Sequence, residues 1–385
     1  MKGMAMEAHE DVKLLECSGM DILEVNEEAS LQASALRMAF SIANPFLLKC
    51  ALSLKIPDII WRAGPDSPLS VQQIASQLPS EAPDMDALSG ILTCLSAMGI
   101  LKAIKPTKDA QEINGAAEAM TMKYTLTDLT KTYFVSEDIS PLSLAPLALM
   151  PTHALLMQPW DHIHERVLHV GDNFKNSSGH GKEFWSYVAA EPEVNNVFNA
   201  AMLSLTKVEM REILTYDGFK DVNTLVDLGG GHGQVMSQII SLYPHIHAIN
   251  FDVPHVIATA PTLHGITHIS GDMFESVPSG DAILMKHVLH LWDDEDCIKL
   301  LKMCYKATSD KGKLIIVDAV LDTTEDSDPI GSGQLMDIVM LTVFPGARER
   351  TREQWNGILQ SAGFSLSKIV GKKGSLAKII EALKC

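Results

Sequence analysis

At Val222 the hydrophobic pattern of this 385-residue chain changes period. Upstream, apolar residues recur at helical spacing. Downstream, short apolar runs alternate with helical segments, which predicts strands at 224–228, 248–252, 266–270, 282–286 and 313–319 and helices between them, as at 234–242 and 294–307. That alternation points to a doubly wound α/β sheet, whose ligands sit beyond the carboxyl ends of the strands. The first strand runs into Leu225-Val226-Asp227-Leu228-Gly229-Gly230-Gly231-His232-Gly233. Glycines are needed there because the backbone turns sharply and approaches a ligand closely, which a Cβ would prevent.

The glycine spacing narrows the ligand. A dinucleotide fingerprint requires G-x-G-x-x-G, and counting from Gly229 puts Gln234 at the third glycine position. The spacing is instead D-x-G-x-G-x-G. It is similar to the loop of class I methyltransferases, which bind S-adenosylmethionine, a ligand without a pyrophosphate to seat on a helix N-terminus. Asp227 can approach the ligand's ammonium group. Asp252, 25 residues further on, ends the second strand, where a carboxylate can accept both ribose hydroxyls, and Asp272 follows the third strand within reach of the adenine amine. Three acids at three successive strand ends carry more weight than one glycine loop.

Beyond the fourth strand comes His290, just before Trp292 and a helix capped by Asp293 with Asp296 three residues on. Asp318 is expected to end the fifth strand. Both side chains then meet at the carboxyl edge of the sheet. A His oriented by a carboxylate is the usual general-base arrangement, because the acid fixes the ring tautomer and stabilises the imidazolium. Glu349, in the run Arg348-Glu349-Arg350-Thr351, offers a second carboxylate.

The first half of the chain reads differently. Residues 1–29 are acidic and expected to be flexible: Met1 to Glu28 holds two lysines against eight acids and no apolar core of a signal peptide. Residues 30–140 are mainly helical, with a break or kink at Pro45, a capped helix starting at Ser70, an apolar helix at 86–98 ending at Gly99, and two short strands at 100–103 and 123–126 joined by a polar loop. Helix, helix and a two-stranded wing outline a winged helix. The helix that would read DNA, 85–98, carries no Lys or Arg and is apolar nearly all round, which fits a packing or dimer helix instead. Residues 141–221 are again helical and rich in Met, Leu, Phe and Trp; 222–385 form the α/β domain. The stretch 322–333 reads as a polar loop.

Composition agrees with this division. A formal charge of −17 argues against a nucleic-acid surface or an anionic membrane, since both draw on clustered Lys and Arg. No uncharged apolar run reaches the ~18 residues of a membrane span. The six cysteines are scattered without a CxxC pair, as expected for reduced thiols in the cytoplasm.

From about Ser30 to its C-terminus the chain resembles plant small-molecule O-methyltransferases of the caffeic acid and flavonoid type. The resemblance rests on Leu225–Gly233, Asn250-Phe251-Asp252-Val253-Pro254-His255-Val256, Gly271-Asp272-Met273-Phe274, His290-x-Trp292 followed by Asp294-Glu295-Asp296-Cys297, and Pro345-Gly346 leading to Glu349-Arg350-Thr351. It implies an N-terminal, mainly helical winged-helix dimerisation domain joined to a C-terminal Rossmann-like domain. It further implies a homodimer, His290 as catalytic base flanked by Asp318 and Glu349, and Asp227, Gly229, Gly231, Asp252, Asp272, Met273 and Lys286 around S-adenosylmethionine. A small phenolic acceptor would be walled by Met150, Leu156, Trp160, Phe198, Met202, Leu291, Met340 and Phe344.

The chain departs from the family pattern at several of these positions. After the catalytic His the family usually has Asp, here Leu291; Asp318 replaces a Glu; Phe344 stands for a pocket Asn, Leu205 for a His, and His287 for a common Trp. The polar contacts expected for a lignin precursor are thinned out, so a flat, apolar flavonoid fits at least as well. The carboxylates surround a His rather than forming an oxygen cage, so no metal is expected. Two other readings compete with an active methyltransferase: a catalytically silent dimerisation partner and a winged-helix DNA-binding regulator.

Overall fold

The computed structural model of the protein describes residues 27–105, 121–168, 184–321, 332–372 and 374–385. The chain divides into two compact units after Asn44. Helix α1 (Glu27–Ala39) belongs to the first; α2 (Ala43–Ser53) opens as the second begins. The break falls at residues 40–42, and Pro45 sits in the first turn of α2, where its missing N–H costs nothing. Most of the acidic 1–29 segment lies outside the described residues.

Next come α3 (Ile56–Arg62), β1 (Leu69–Ser70), α4 (Val71–Ala75), α5 (Met85–Ala97), β2 (Leu101–Ile104) and β3 (Lys123–Leu126). Ser70 and Gln73 close the capping box expected there: Gln73 N–H donates to Ser70 Oγ at 3.2 Å and Ser70 N–H to Gln73 Oε1 at 2.8 Å. The sheet has three strands, ordered β1-β3-β2, because the two residues of β1 add antiparallel to β3. Leu88, Leu92 and Leu95 recur on one face of α5 and are buried in a core shared with Ile56, Ile60, Ile74 and Tyr124. The loop between β2 and β3 falls mostly outside the described residues.

Short helices across 128–168 precede α6 (Phe184–Ala190) and the long α7 (Pro192–Ile213). The α/β part follows: β4 (Thr224–Leu228), α8 (Gln234–Leu242), β5 (His247–Asp252), β6 (Ile266–Ser270), β7 (Gly280–Lys286), α9 (Asp294–Ala307), β8 (Thr308–Leu321), α10 (Ser332–Val343), β9 (Arg350–Thr351), α11 (Arg352–Ser361), β10 (Phe364–Val370) and β11 (Ala377–Lys384). Sheet order is β10-β11-β8-β7-β4-β5-β6, with β9 pairing parallel to β8. Strands β4 to β8 run parallel, while β10 and β11 form an antiparallel edge. Strand alternation divides the core. Val226, Leu228, Ile283 and Met285 face α9 and α11 on one side; Leu225, Ala282, Leu284 and Val317 face α8 and the end of α7 on the other.

Two corrections concern the sheet. Asp318 does not end its strand: β8 runs three residues further because Val320 and Leu321 pair with Arg350 and Thr351. The strands β10 and β11 were not expected at all. Of the presumed polar loop, 322–331 lie outside the described residues, and Ser332 and Gly333 already belong to α10. The described cysteines are all unpaired, and burial pushes the Cys297 and Cys304 thiols up to about 12, so both pack as apolar groups. Among the described residues no single helix is long and apolar enough to cross a membrane.

Candidate active site

The chain order within the sheet creates the site. From β4 the chain moves to β5 and β6 on one side, then returns to β7 on the other, so the strand order reverses between β4 and β7. A crevice opens at such a switch point beyond the strand ends. The glycine loop leaves β4 on one side of it, and the 287–290 segment leaves β7 on the other.

Gly229, Gly231 and Gly233 adopt φ of 75°, 59° and 80°, the left-handed region in which side chains are strained. A Cβ on Gly230 would lie 2.2 Å from Asn250 Oδ1 and 2.6 Å from Asp227 Cγ, so that position admits glycine alone. A Cβ on Gly231 would meet nothing within 4 Å; the loop there faces open space. Asp252, at the end of β5, fastens the loop by accepting the Gly231 N–H on Oδ2 (2.8 Å) and the Val253 N–H on Oδ1 (2.7 Å). Asn250 Nδ2 donates to the Gly231 carbonyl at 2.8 Å. Asp272 is exposed beyond β6 and accepts the Phe274 N–H at 2.8 Å, while Met273 beside it is half-buried against the core.

Asp227 is the anomalous member. It is 1% exposed, and its Oδ2 is buried without a hydrogen-bond partner. Burial pushes its carboxyl up to about 7, with Lys286 pulling the other way and Asp252 adding to the rise. An ammonium group brought to this carboxyl would supply the missing partner.

Across the crevice, His290 lies in a tight turn, Leu289–Leu291, and is 6% exposed. Its Nδ1 is 2.8 Å from Glu349 Oε1 and 3.1 Å from Asp318 Oδ1. No described residue bonds Nε2. Glu349 is set by α10, since its backbone N–H donates to Asp337 Oδ1 at 2.7 Å. Burial raises the Glu349 carboxyl, and the charge of Asp318 adds to this despite the pull of His290. At Asp318 burial also acts upward, but His290 and His287 overcome it and hold the carboxyl below its ordinary value. The surroundings therefore push the two carboxyls at this nitrogen in opposite directions, Asp318 down and Glu349 up.

Arg350, fully buried, fixes the turn. Its Nε donates to Asp294 Oδ1 (2.9 Å), Nη1 to the Leu289 carbonyl (3.1 Å) and Nη2 to the Trp292 carbonyl (2.8 Å), while the guanidinium lies 5.5 Å from the Trp355 ring centroid. The Arg348 N–H donates to the His290 carbonyl at 3.0 Å. Sequence reasoning counted this arginine only as part of a motif.

Lys286 ends β7, His287 follows it, and both side chains meet α7. Lys286 Nζ lies 2.8 Å from Glu209 Oε2 and donates to Thr206 Oγ1 at 3.1 Å; His287 Nε2 is 2.7 Å from Glu209 Oε1. Glu209 was not anticipated: an acid within a helical run gives no sequence signal for a partner 78 residues away. The His287 and His290 rings stack with centroids 5.1 Å apart and planes 24° apart. With Asp318 they offer three donor atoms within 4.8 Å of one another. Rings so nearly parallel aim their in-plane lone pairs side by side rather than at one ion, and one nitrogen of each is already beside a carboxylate.

Of the expected wall residues, Leu156, Met340 and Phe344 are buried in one apolar cluster, with Met150, Phe198 and Leu291 half-buried against it. Trp160 is 38% exposed, and neither it nor the half-buried Met202 belongs to that cluster. In their place the cluster takes Phe184 and Tyr187 from α6. The Phe184 ring packs edge-on against Phe344 at 4.9 Å and Phe198 at 5.5 Å, and Trp185 lies 5.6 Å from both. The dense aromatic run at 184–187 was the signal that could have found them.

A family model of the O-methyltransferase domain matches residues 160–365, and one of the O-methyltransferase dimerisation domain matches residues 36–136. Desmethylxanthohumol 6'-O-methyltransferase of Humulus lupulus is 39% identical over 361 residues, which cover 91% of this chain and 97% of the relative. Caffeic acid 3-O-methyltransferase of Prunus dulcis is 38% identical over 343 residues, covering 88% and 90%. The solved structure of human N-acetylserotonin methyltransferase in complex with SAM is similar in fold, with a TM-score of 0.75 and 23% identity over 94% of this chain and 99% of that one.

Proposed function

The chain belongs to the O-methyltransferase family and is an S-adenosylmethionine-dependent O-methyltransferase, and from that premise we propose that it methylates a phenolic hydroxyl of a flat, largely apolar phenylpropanoid or flavonoid with His290 as base and without a metal. The observation that carries this reading is the buried His290 with two carboxylates at Nδ1 and none at Nε2. When Nδ1 holds the proton shared with those carboxylates, Nε2 is left as the acceptor for a phenol proton.

Free phenol and imidazole differ by about 3.5 pKa units, so complete transfer in water is uphill by about 5 kcal/mol. Asp318 reduces this gap by stabilising the imidazolium, while Glu349 holds the ring in orientation. Bound S-adenosylmethionine supplies an electrophilic methyl on a cationic sulfur. Phe344, Met340 and Leu291 keep the acceptor's oxygen away from water, which favours a reaction that neutralises opposite charges. Replacing Asp by Leu291 and a pocket Asn by Phe344 removes polar partners, which supports an acceptor with few polar ring substituents.

Asp227, Gly229, Gly231, Asp252, Asp272 and Met273 suit the cofactor: the orphaned Asp227 oxygen for its ammonium, the open face at Gly231 for its body, and the free acceptor capacity of Asp252 for ribose hydroxyls. Lys286 would act from behind, through its charge on Asp227. The sign of the pH effect follows. With Asp227 at about 7, its ionised fraction rises from about 3% at pH 5.5 to about half at pH 7, below the range in which the ligand's own amine loses its proton. Cofactor affinity is therefore expected to tighten about fifteenfold over that interval in calorimetric titrations and to stay flat in Asp227→Asn. A flat wild-type profile would remove the ammonium assignment.

We further assign residues 30–140 to a winged-helix dimerisation domain that makes a homodimer, 141–221 to the pocket wall and 222–385 to catalysis, and place the enzyme in the cytoplasm, as its unpaired cysteines support. The test of function is transfer of labelled methyl from S-adenosylmethionine to a panel of phenylpropanoids, flavonoids and small catechols. Turnover of flavonoids over caffeic-type catechols is expected. Preference for the catechols would mean that Leu291 and Phe344 do not set specificity, and cofactor binding without transfer to any acceptor would favour a silent dimerisation partner.

A further inference from the structure

His287 is the one described residue in the α/β part, apart from glycines, with a left-handed backbone: φ is 55°. Such strain in a residue with a Cβ is maintained only by surrounding contacts. The contacts are ionic. On one side Glu209 of α7, 8% exposed at its side chain, lies 2.7 Å from His287 Nε2; on the other, Asp318 Oδ1 of β8 lies 3.5 Å from His287 Nδ1. The second oxygen of Glu209 meets Lys286 at 2.8 Å. The same Asp318 oxygen that faces His287 also faces His290, whose ring stacks on that of His287. Charges of alternating sign thus run from Lys286 through Glu209 and His287 to Asp318, whose Oδ1 also meets His290 Nδ1.

We propose that Glu209 and His287 form a charged latch that positions the His290 base and ties it to the lysine behind the cofactor pocket. This rests on the reading of His290 as the base. Both are positioning residues, since neither is placed against a reacting atom. In its cationic form His287 bonds Glu209 through Nε2 and brings a positive charge within 3.5 Å of Asp318 Oδ1, which attracts that oxygen toward the side where His290 Nδ1 also meets it. A neutral imidazole can keep its one N–H on Glu209 but no longer attracts Asp318 by charge. The latch also holds α7, which carries Phe198 and Met202 as well as Glu209, against the end of β7. Where the family commonly has an uncharged Trp, this chain has a residue that titrates.

The charged groups around His287 set its working range. Burial works against its cation and Lys286 repels it, but Glu209 above all, with Asp318, raises the imidazole to about 9. Glu209 is correspondingly low: burial alone would raise it, but His287 and Lys286 bring it to about 2. Around neutral pH the latch is closed, and it opens as pH rises through about 9.

The test compares full-length wild type, Glu209→Gln and His287→Trp by pH profiles of kcat and KM and by NMR titration of labelled histidine side chains, with the His287 signal assigned by its loss in His287→Trp. In Glu209→Gln the kcat at neutral pH is expected to fall about tenfold with acceptor KM within about twofold, and the alkaline limb to move down by one to two pH units. The imidazole signal should move down with it. His287→Trp keeps a ring against His290 without a titrating group and is expected to lose the limb near pH 9; it serves as the readout if Glu209→Gln does not fold. A wild-type limb in either folded variant, or a wild-type His287 that titrates near the ordinary histidine value, overturns the latch. Absence of methyl transfer to every acceptor would instead remove the functional reading while leaving the NMR titration as the test of the ion pair.

Discussion

His290→Ala is expected to lower kcat by about 10³- to 10⁴-fold while leaving the dissociation constant for S-adenosylmethionine within about twofold. The separation follows from the sheet. His290 leaves β7 and contacts Asp318 and Glu349, whereas the glycine loop and its acids leave β4, β5 and β6. General bases of this kind contribute through one proton transfer, so their loss appears in the chemical step rather than in cofactor binding. The substitution also removes the ring nitrogen that both buried carboxyls face and leaves Glu349 without its 2.8 Å partner, which destabilises the fold by about 1–3 kcal/mol. A melting curve must therefore accompany the kinetics, and His290→Gln, which retains a polar group in the turn, separates the two effects. A folded His290→Ala protein with near wild-type turnover would mean that another group takes the phenol proton.

Asp252→Ala should act on the other side of the crevice. Removing its carboxylate frees the Gly231 N–H from its 2.8 Å partner and withdraws the acceptors assigned to the ribose hydroxyls. A hydrogen bond to a charged group contributes about 1.5–3 kcal/mol, so affinity for S-adenosylmethionine is expected to weaken by about 10- to 100-fold. The value of kcat at saturating cofactor should change little. An unchanged dissociation constant would show that Asp252 serves only to fasten the loop.

These two predictions were available from the sequence because their residues sit in local patterns. The glycine loop needs no tertiary information to be seen, and helix and strand limits such as Gln234–Leu242, Asp294–Ala307 and Ile266–Ser270 coincide with the structure because period and capping agree there. The β10–β11 edge was not legible for the opposite reason. Ala377–Lys384 is composed largely of strong helix formers, Ala, Lys, Glu and Leu, and becomes a strand only because β8 offers it a free edge in register from Ala377 opposite Ala319 to Leu383 opposite Lys313. Asp318 was misplaced at the strand end because the extension of β8 depends on a two-residue partner near Arg350.

The site shows the same limit. His290, Asp318 and Glu349 were named from motif and resemblance, and they meet within 3.1 Å of one nitrogen. Glu209 was missed, since a buried acid on α7 acquires meaning only when topology brings β7 to it. Of the residues expected at the pocket wall, Leu156, Met340 and Phe344 cluster together, Phe184 and Tyr187 of α6 join them, and Trp160 is partly exposed outside that cluster. Apolar residues announce burial without saying against what.

The most direct measurement of the central claim is the labelled methyl transfer assay run on protein treated with a chelator and kept in its presence. Transfer to a phenolic oxygen is expected at an undiminished rate, and is expected to be lost on His290→Ala. Activity that disappears on chelation and returns with added Mg²⁺ would contradict it, because the carboxylates at His290 would then be serving an ion rather than a base.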